Sequence, residues 1–113
     1  MQLFHQWAGF VPSDAVLKEL ERFEMLFSHA KAMAADGPWL FGAYSLADVF
    51  YAPLMARLAG YELPVSEGVA TYVETTLTDP AFQTWRAEGI TVKYEPFPYP
   101  QPLKTRDWPV TAA

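Results

Sequence analysis

Pro38-Trp39-Leu40-Phe41-Gly42-Ala43-Tyr44-Ser45-Leu46-Ala47-Asp48-Val49-Phe50-Tyr51-Ala52-Pro53-Leu54-Met55-Ala56-Arg57-Leu58-Ala59-Gly60-Tyr61 is the stretch that decides how this chain folds. It joins a punctuated lead-in to a helix start and a nearly unbroken apolar run. Ser45 and Asp48 stand in the S/T-x-x-acid relation of a capping box. In that box the Ser hydroxyl accepts from the N–H of Asp48, and the carboxylate accepts from the N–H of Ser45. Tyr44 and Val49 are placed to close a hydrophobic staple over the same turn. Leu46, Val49, Phe50, Leu54 and Leu58 fall on one helical face, while Ala47, Ala52, Met55, Ala56 and Ala59 keep the other face apolar. Only Asp48 and Arg57 bring charge. A helix apolar nearly all round is expected to be central and buried on several sides; with two charges and Pro53 inside it, it makes a poor membrane span. Pro53 removes the hydrogen bond to the Val49 carbonyl, which predicts a kink and not a break, because the apolar phase continues through Leu58.

Working outward, residues 13–35 read as a long helix of about 33 Å, capped by Ser13 or Asp14 and stopped by Asp36-Gly37-Pro38. Val16, Leu20, Phe23, Phe27, Ala30 and Ala34 recur at helical spacing and form its core stripe, widened by Leu26 and Met33. Trp39, Leu40 and Phe41 form a hydrophobic plug, with Gly42 in a turn conformation. Ser66 caps a later helix over 66–78 whose apolar face is Val69, Tyr72, Val73, Thr76 and Leu77. Asp79-Pro80 starts another over 79–88, anchored by Phe82 and Trp85. The leading segment, 1–12, carries aromatics at spacings that suit a short amphipathic helix ended by Gly9 and Pro12. Residues 90–113 change character: Pro96, Pro98, Pro100, Pro102 and Pro109 exclude a helix, Ile90 to Tyr94 suit a short extended piece, and the prolines suit polyproline II. Because Tyr94, Phe97, Tyr99 and Trp108 add much aromatic surface, this tail is expected to lie back on the helices. The fold class is therefore all-α, a compact helical bundle over 1–89 followed by a Pro-rich extended tail.

Composition bounds what such a bundle does. At 113 residues and 51% hydrophobic content the chain is one domain with a sizeable core. It has no cysteine, which excludes disulfides, thiol catalysis and thiolate metal sites. A net charge of −5 without a basic stripe argues against nucleic acid as a partner. Neither a secretory leader nor a membrane span is legible, so a cytoplasmic protein is the default. His5 and His29 are the only histidines, and neither has an acidic cluster at metal-ligand spacing, so no metal is assigned. Gly-rich phosphate loops and GxSxG elbows are absent from the sequence.

The lead-in Gly37-Pro38-Trp39-Leu40-Phe41-Gly42, the box Ser45-Leu46-Ala47-Asp48, Pro53, and Asp79-Pro80-Ala81-Phe82-Gln83-Thr84-Trp85 in this order resemble the C-terminal helical domain of glutathione transferases. The resemblance covers residues 13–88. It implies an all-α domain that supplies the wall for the electrophilic substrate and part of a homodimer interface. Glutathione and the activating Tyr, Ser or Cys belong to a thioredoxin-like domain that precedes it in that family. Only twelve residues come before the first strong helix, too few for a βαβ unit of about 30 residues, so the glutathione-binding half is expected to be missing, the chain being a fragment or a truncated gene product. No catalytic residue is therefore assigned, and Ser45 and Asp48 carry over as a structural pair.

The expected role is contact with an apolar small molecule through Phe4, Trp7, Phe10, Tyr94, Phe97 and Tyr99, the aromatics outside the helical core stripes. The alternative is a stand-alone interaction or dimerisation module of the same fold, with the long helix as interface and the aromatic tail as a clasp.

Overall fold

The computed structural model describes residues 3–94 and 101–110. In chain order these form strand β1 (His5–Ala8), helices α1 (Asp14–Ala32), α2 (Leu46–Gly60), α3 (Glu67–Thr78) and α4 (Pro80–Gly89), and strand β2 (Lys104–Asp107). The body is mostly helical, with a small antiparallel ribbon added. His5 pairs with Asp107 and Ala8 with Lys104, so the leading segment is a strand and not the amphipathic helix its spacing predicts. An all-α description is corrected to that extent. Pairing with the end of the chain overrides the helical period of a segment too short to hold a helix alone. Pro96, Pro98, Pro100, Phe97 and Tyr99 lie outside the described residues, and with them the polyproline reading.

Local chemistry fixes each helix. The Ser13 hydroxyl accepts from the Val16 N–H at 3.3 Å, and α1 ends at Ala32 with Met33 as its C-cap. Two glycines close the following turn: Gly37 has φ +144° and Gly42 φ +102°. A Cβ on Gly37 would run into the Gly42 carbonyl, and one on Gly42 would stand 2.6 Å from the Ala35 oxygen. Only glycine fits this close crossing of backbones. Lys31 ties the crossing to α1 by donating to the carbonyls of Gly37 and Trp39 at 3.3 and 3.0 Å. Ser66 caps α3, and its own N–H and hydroxyl donate to the Glu24 carboxylate on α1 at 2.8 and 2.7 Å. At α4, the Asp79 Oδ2 accepts from Ala81 and Phe82, with Pro80 in the first turn where its missing N–H is harmless.

Two clusters make the core. Leu20, Phe23, Phe27 and Ala30 of α1 pack with Leu40, Met55, Leu58, Val69 and Tyr72. On the opposite side, Ala56 and Ala59 pack with Leu3, Leu77, Phe82 and Trp108. Thus α2 lies between the clusters: its second half supplies Met55 and Leu58 to one and Ala56 and Ala59 to the other, while from its first half Ala47 and Tyr51 pack partly on the first and Ala52 partly on the second. Leu46, Val49 and Phe50, expected on its buried face, are exposed, Phe50 to 75%. Phe41 and Trp85 are likewise more exposed than a plug or an anchor would be. The helix runs unbroken through Pro53.

Residues 104–110 return to the helices. Trp108 is buried against the second cluster, and the Arg86 guanidinium stands 4.9 Å from its ring centroid. The Arg86 Nε donates to the Leu3 carbonyl at 2.8 Å, and burial pulls its pKa below the ordinary guanidinium value. Gln6 on β1 donates to the Ala59 carbonyl at 2.8 Å, which fastens the ribbon to the end of α2. On the outside, Arg106 pairs with Glu62 at 2.7 Å, an exposed contact worth about 1 kcal/mol or less.

Candidate functional site

Asp48 is the most highly connected side chain at the start of α2, and it is 2% exposed. The capping box is present, with its carboxylate arm tightly made: the Ser45 N–H donates to Oδ2 at 2.8 Å, and the Ser45 hydroxyl stands 3.4 Å from the same oxygen. Oδ1 accepts from the Leu40 N–H at 3.1 Å and from the Tyr72 hydroxyl at 2.7 Å. One carboxylate therefore joins the lead-in turn, the first turn of α2 and the middle of α3. Burial, and then the neighbouring Asp48 carboxylate, raise the Tyr72 pKa far above the usual phenol range. That hydroxyl is a committed donor facing an anion. It is unsuited to activating a thiol, which requires the oxygen to meet a bound substrate.

Three concave surfaces lie against α2. The largest, about 520 Å³, lies between α1 and α2 and is walled by Phe10, Leu20, Phe23, Leu26, Tyr51, Leu54, Leu58 and Tyr61, with Glu19, Arg22 and Arg57 also lining it. A second, about 400 Å³, shares Phe23, Leu26 and Tyr51 with it and continues toward Met33 and Phe41. Together they make an apolar groove along the α1–α2 face. The third, about 340 Å³, opens where α2, α3 and α4 meet, between Trp39, Tyr44, Val49, Pro53, Asp79, Phe82 and Trp85. Tyr44 and Val49, the expected staple pair, form one of its edges.

The aromatics expected to bind a ligand are not gathered in one place. Phe10 joins the α1–α2 groove, its ring 4.8 Å from that of Tyr61. Trp7 sits in β1 with its ring edge-on to His5, 5.0 Å away. Phe4 is half exposed beside Arg86, which reaches its carbonyl at 3.4 Å. Tyr94 is largely exposed and lines neither groove nor cleft. Phe97 and Tyr99 lie outside the described residues. The sequence reading offers none of Tyr51, Tyr61, Leu26 and Leu54 as a ligand contact, yet these help form the groove walls. Leu26 and Leu54 fall on core stripes by spacing, and only the gap between two helices marks them as groove residues.

No protein-family model, no curated protein and no solved structure matches this chain. Among the described residues no group of three or more His, Asp or Glu stands ready to hold a metal ion, and no helix is long and apolar enough to cross a membrane.

Proposed function

We propose that this chain is a glutathione transferase-like helical domain of the electrophile-binding side, acting in the cytoplasm, which contacts an apolar small molecule and does not conjugate glutathione alone. The observation that carries this reading is the α1–α2 groove: apolar walls, aromatic rings from Phe10, Phe23, Tyr51 and Tyr61, and charge supplied by Glu19, Arg22 and Arg57. Such a surface holds a flat apolar molecule by area burial and orients its polar end toward the charged side chains. It offers no paired nucleophile and base.

The family resemblance supports the reading from the other direction. Its motif residues build one physical unit, with Ser45 and Asp48 closing the cap and Asp48 reaching Leu40 and Tyr72. Glutathione is assigned to no residue here, since in that family a thioredoxin-like half holds it. A conjugation assay with glutathione and a generic electrophile is expected to give the uncatalysed rate. Turnover above that rate would overturn the assignment of catalysis to a separate half.

A second reading, a dimerisation or interaction module, is favoured by Met33, Phe41, Leu46 and Phe50, four large apolar side chains left exposed around α1 and α2. Light scattering across a concentration series tests it. Dimer formation supports the module; a strict monomer that captures no partner counts against it.

A further inference from the structure

We infer that the cleft between α2, α3 and α4 binds an organic cation of the quaternary or fully N-methylated ammonium class. Four aromatic rings line it, in two edge-to-face pairs: Trp39 with Tyr44, centroids 4.7 Å apart, and Phe82 with Trp85, 5.4 Å apart. In an edge-to-face pair, one ring keeps its faces clear of its partner. Ring faces carry the negative lobes of the aromatic quadrupole, and these attract a cation that has no N–H to donate.

The charges agree with the rings. Two carboxylates, Asp48 and Asp79, belong to the lining, and Lys, Arg and His do not. The α1–α2 groove differs in this respect, since Arg22 and Arg57 line it. Asp48 already accepts from Leu40, Ser45 and Tyr72, so it contributes field and no contact. Asp79 spends Oδ2 on Ala81 and Phe82, while its Oδ1 has no partner among the described residues. That oxygen is left free to balance a bound positive charge.

An anion is disfavoured, although α4 begins at this cleft. Pro80 has no N–H, Ala81 and Phe82 donate to the Asp79 carboxylate, and Gln83 donates to the Asp79 carbonyl. The N-terminus of α4 therefore has no free donor in its first turn. A primary ammonium fits less well than a methylated one, because it needs three acceptors for its own N–H groups. The Thr76 hydroxyl donates to the Tyr72 carbonyl at 3.0 Å and keeps only its own lone pairs to offer, and with Asp48 held by three donors the Asp79 Oδ1 is the charged acceptor left in the lining. With a volume of about 340 Å³, the cleft suits a compact head group.

The test compares choline with 3,3-dimethylbutan-1-ol, its neutral counterpart of the same shape, by titrating the ¹⁵N-labelled chain at low salt and following the indole N–H signals of Trp39 and Trp85. Choline is expected to saturate those signals with an affinity about tenfold above the neutral alcohol. Asp79→Asn, which keeps a good capping side chain, should remove most of that preference without changing the binding of the alcohol. Trp85→Leu, at a half-exposed position, should weaken choline by about threefold to tenfold. Free trimethyllysine serves as a second probe: tighter binding than choline assigns the cleft to a methylated peptide, weaker binding to a small choline-like molecule. Equal affinity for choline and the alcohol, an unchanged preference in Asp79→Asn, or shifts confined to other residues would each overturn the inference.

Discussion

The Tyr72 hydroxyl donates to the Asp48 Oδ1 at 2.7 Å, joining two helices through a buried carboxylate that also closes the first turn of α2. Because Leu40 donates to the same oxygen, the lead-in turn, α2 and α3 share one polar anchor inside an apolar surround. Buried polar groups are costly when unpaired, so the anchor holds only while every member is present.

Removing the carboxylate should therefore cost more than removing one of its donors. Asp48→Ala leaves the Leu40 and Ser45 N–H groups and the Tyr72 hydroxyl without their acceptor, and an expected loss of about 3–5 kcal/mol follows. Tyr72→Phe deletes one donor and should cost about 1–2 kcal/mol. Urea unfolding of both variants measures this. A loss below about 1 kcal/mol in Asp48→Ala would show that the knot contributes little.

Alkaline pH probes the same bond. The Tyr72 phenol has its pKa raised in the folded chain, by burial first and by Asp48 next. A raised folded pKa means that the neutral form is favoured on folding. That contribution is complete below the unfolded value of about 10 and is lost as pH climbs above it. Stability measured between pH 9 and pH 11, a range set by that value of about 10, is expected to fall more steeply for the natural chain than for Tyr72→Phe. Parallel slopes would mean that Tyr72 titrates freely in the folded state.

Gly42→Ala tests the backbone crossing. The new methyl would stand 2.6 Å from the Ala35 carbonyl oxygen at a residue with φ +102°. Strain and clash together should cost about 2 kcal/mol or more and disturb the lead-in to α2. Gly60→Ala is a fitting control, since no atom lies within 4 Å of its added Cβ. It should be near neutral in the same thermal melt.

How much of this was legible beforehand differs from element to element. The caps made by Ser45, Asp48, Ser66 and Asp79 close within three residues of their own positions, so the helix starts can be read locally, whereas the bonds of Asp48 to Leu40 and of Ser66 to Glu24 have no such signal. The face of α2 could not be, because a helix apolar all round has no stripe to read; Leu46 and Phe50 were expected inside and lie outside. Tyr72 was legible as a core residue, but its bond to Asp48 spans 24 positions and has no local signal. The β ribbon is the extreme case: Lys104-Thr105-Arg106-Asp107 is polar and exposed along its length, and its partner is the distant segment His5–Ala8. Of the four described aromatics expected to meet a ligand, Phe4, Trp7, Phe10 and Tyr94, Phe10 lines the groove and the other three do not, and several of its other walls, Leu20, Phe23, Leu26, Leu54 and Leu58 among them, are residues whose spacing reads as core.

The return of the chain end is tested by Trp108→Ala. That ring is buried among Leu3, Ala56, Ala59, Leu77 and Phe82, with Arg86 over its face. Its removal is expected to cost about 3 kcal/mol and to speed proteolytic cleavage beyond Gly89 while the first core cluster stays protected. An unchanged cleavage pattern would mean that β2 and Trp108 do not hold this end in place.

The central claim is that the α1–α2 groove receives an apolar small molecule, and calorimetric titration with a neutral aromatic electrophile measures it most directly. Leu26 is 43% exposed on the groove wall, so Leu26→Glu alters the lining without emptying the core. The expected result is saturable one-site binding to the natural chain, weakened by about tenfold or more in Leu26→Glu. Equal affinity for the two proteins, or no binding by the natural chain, would contradict it.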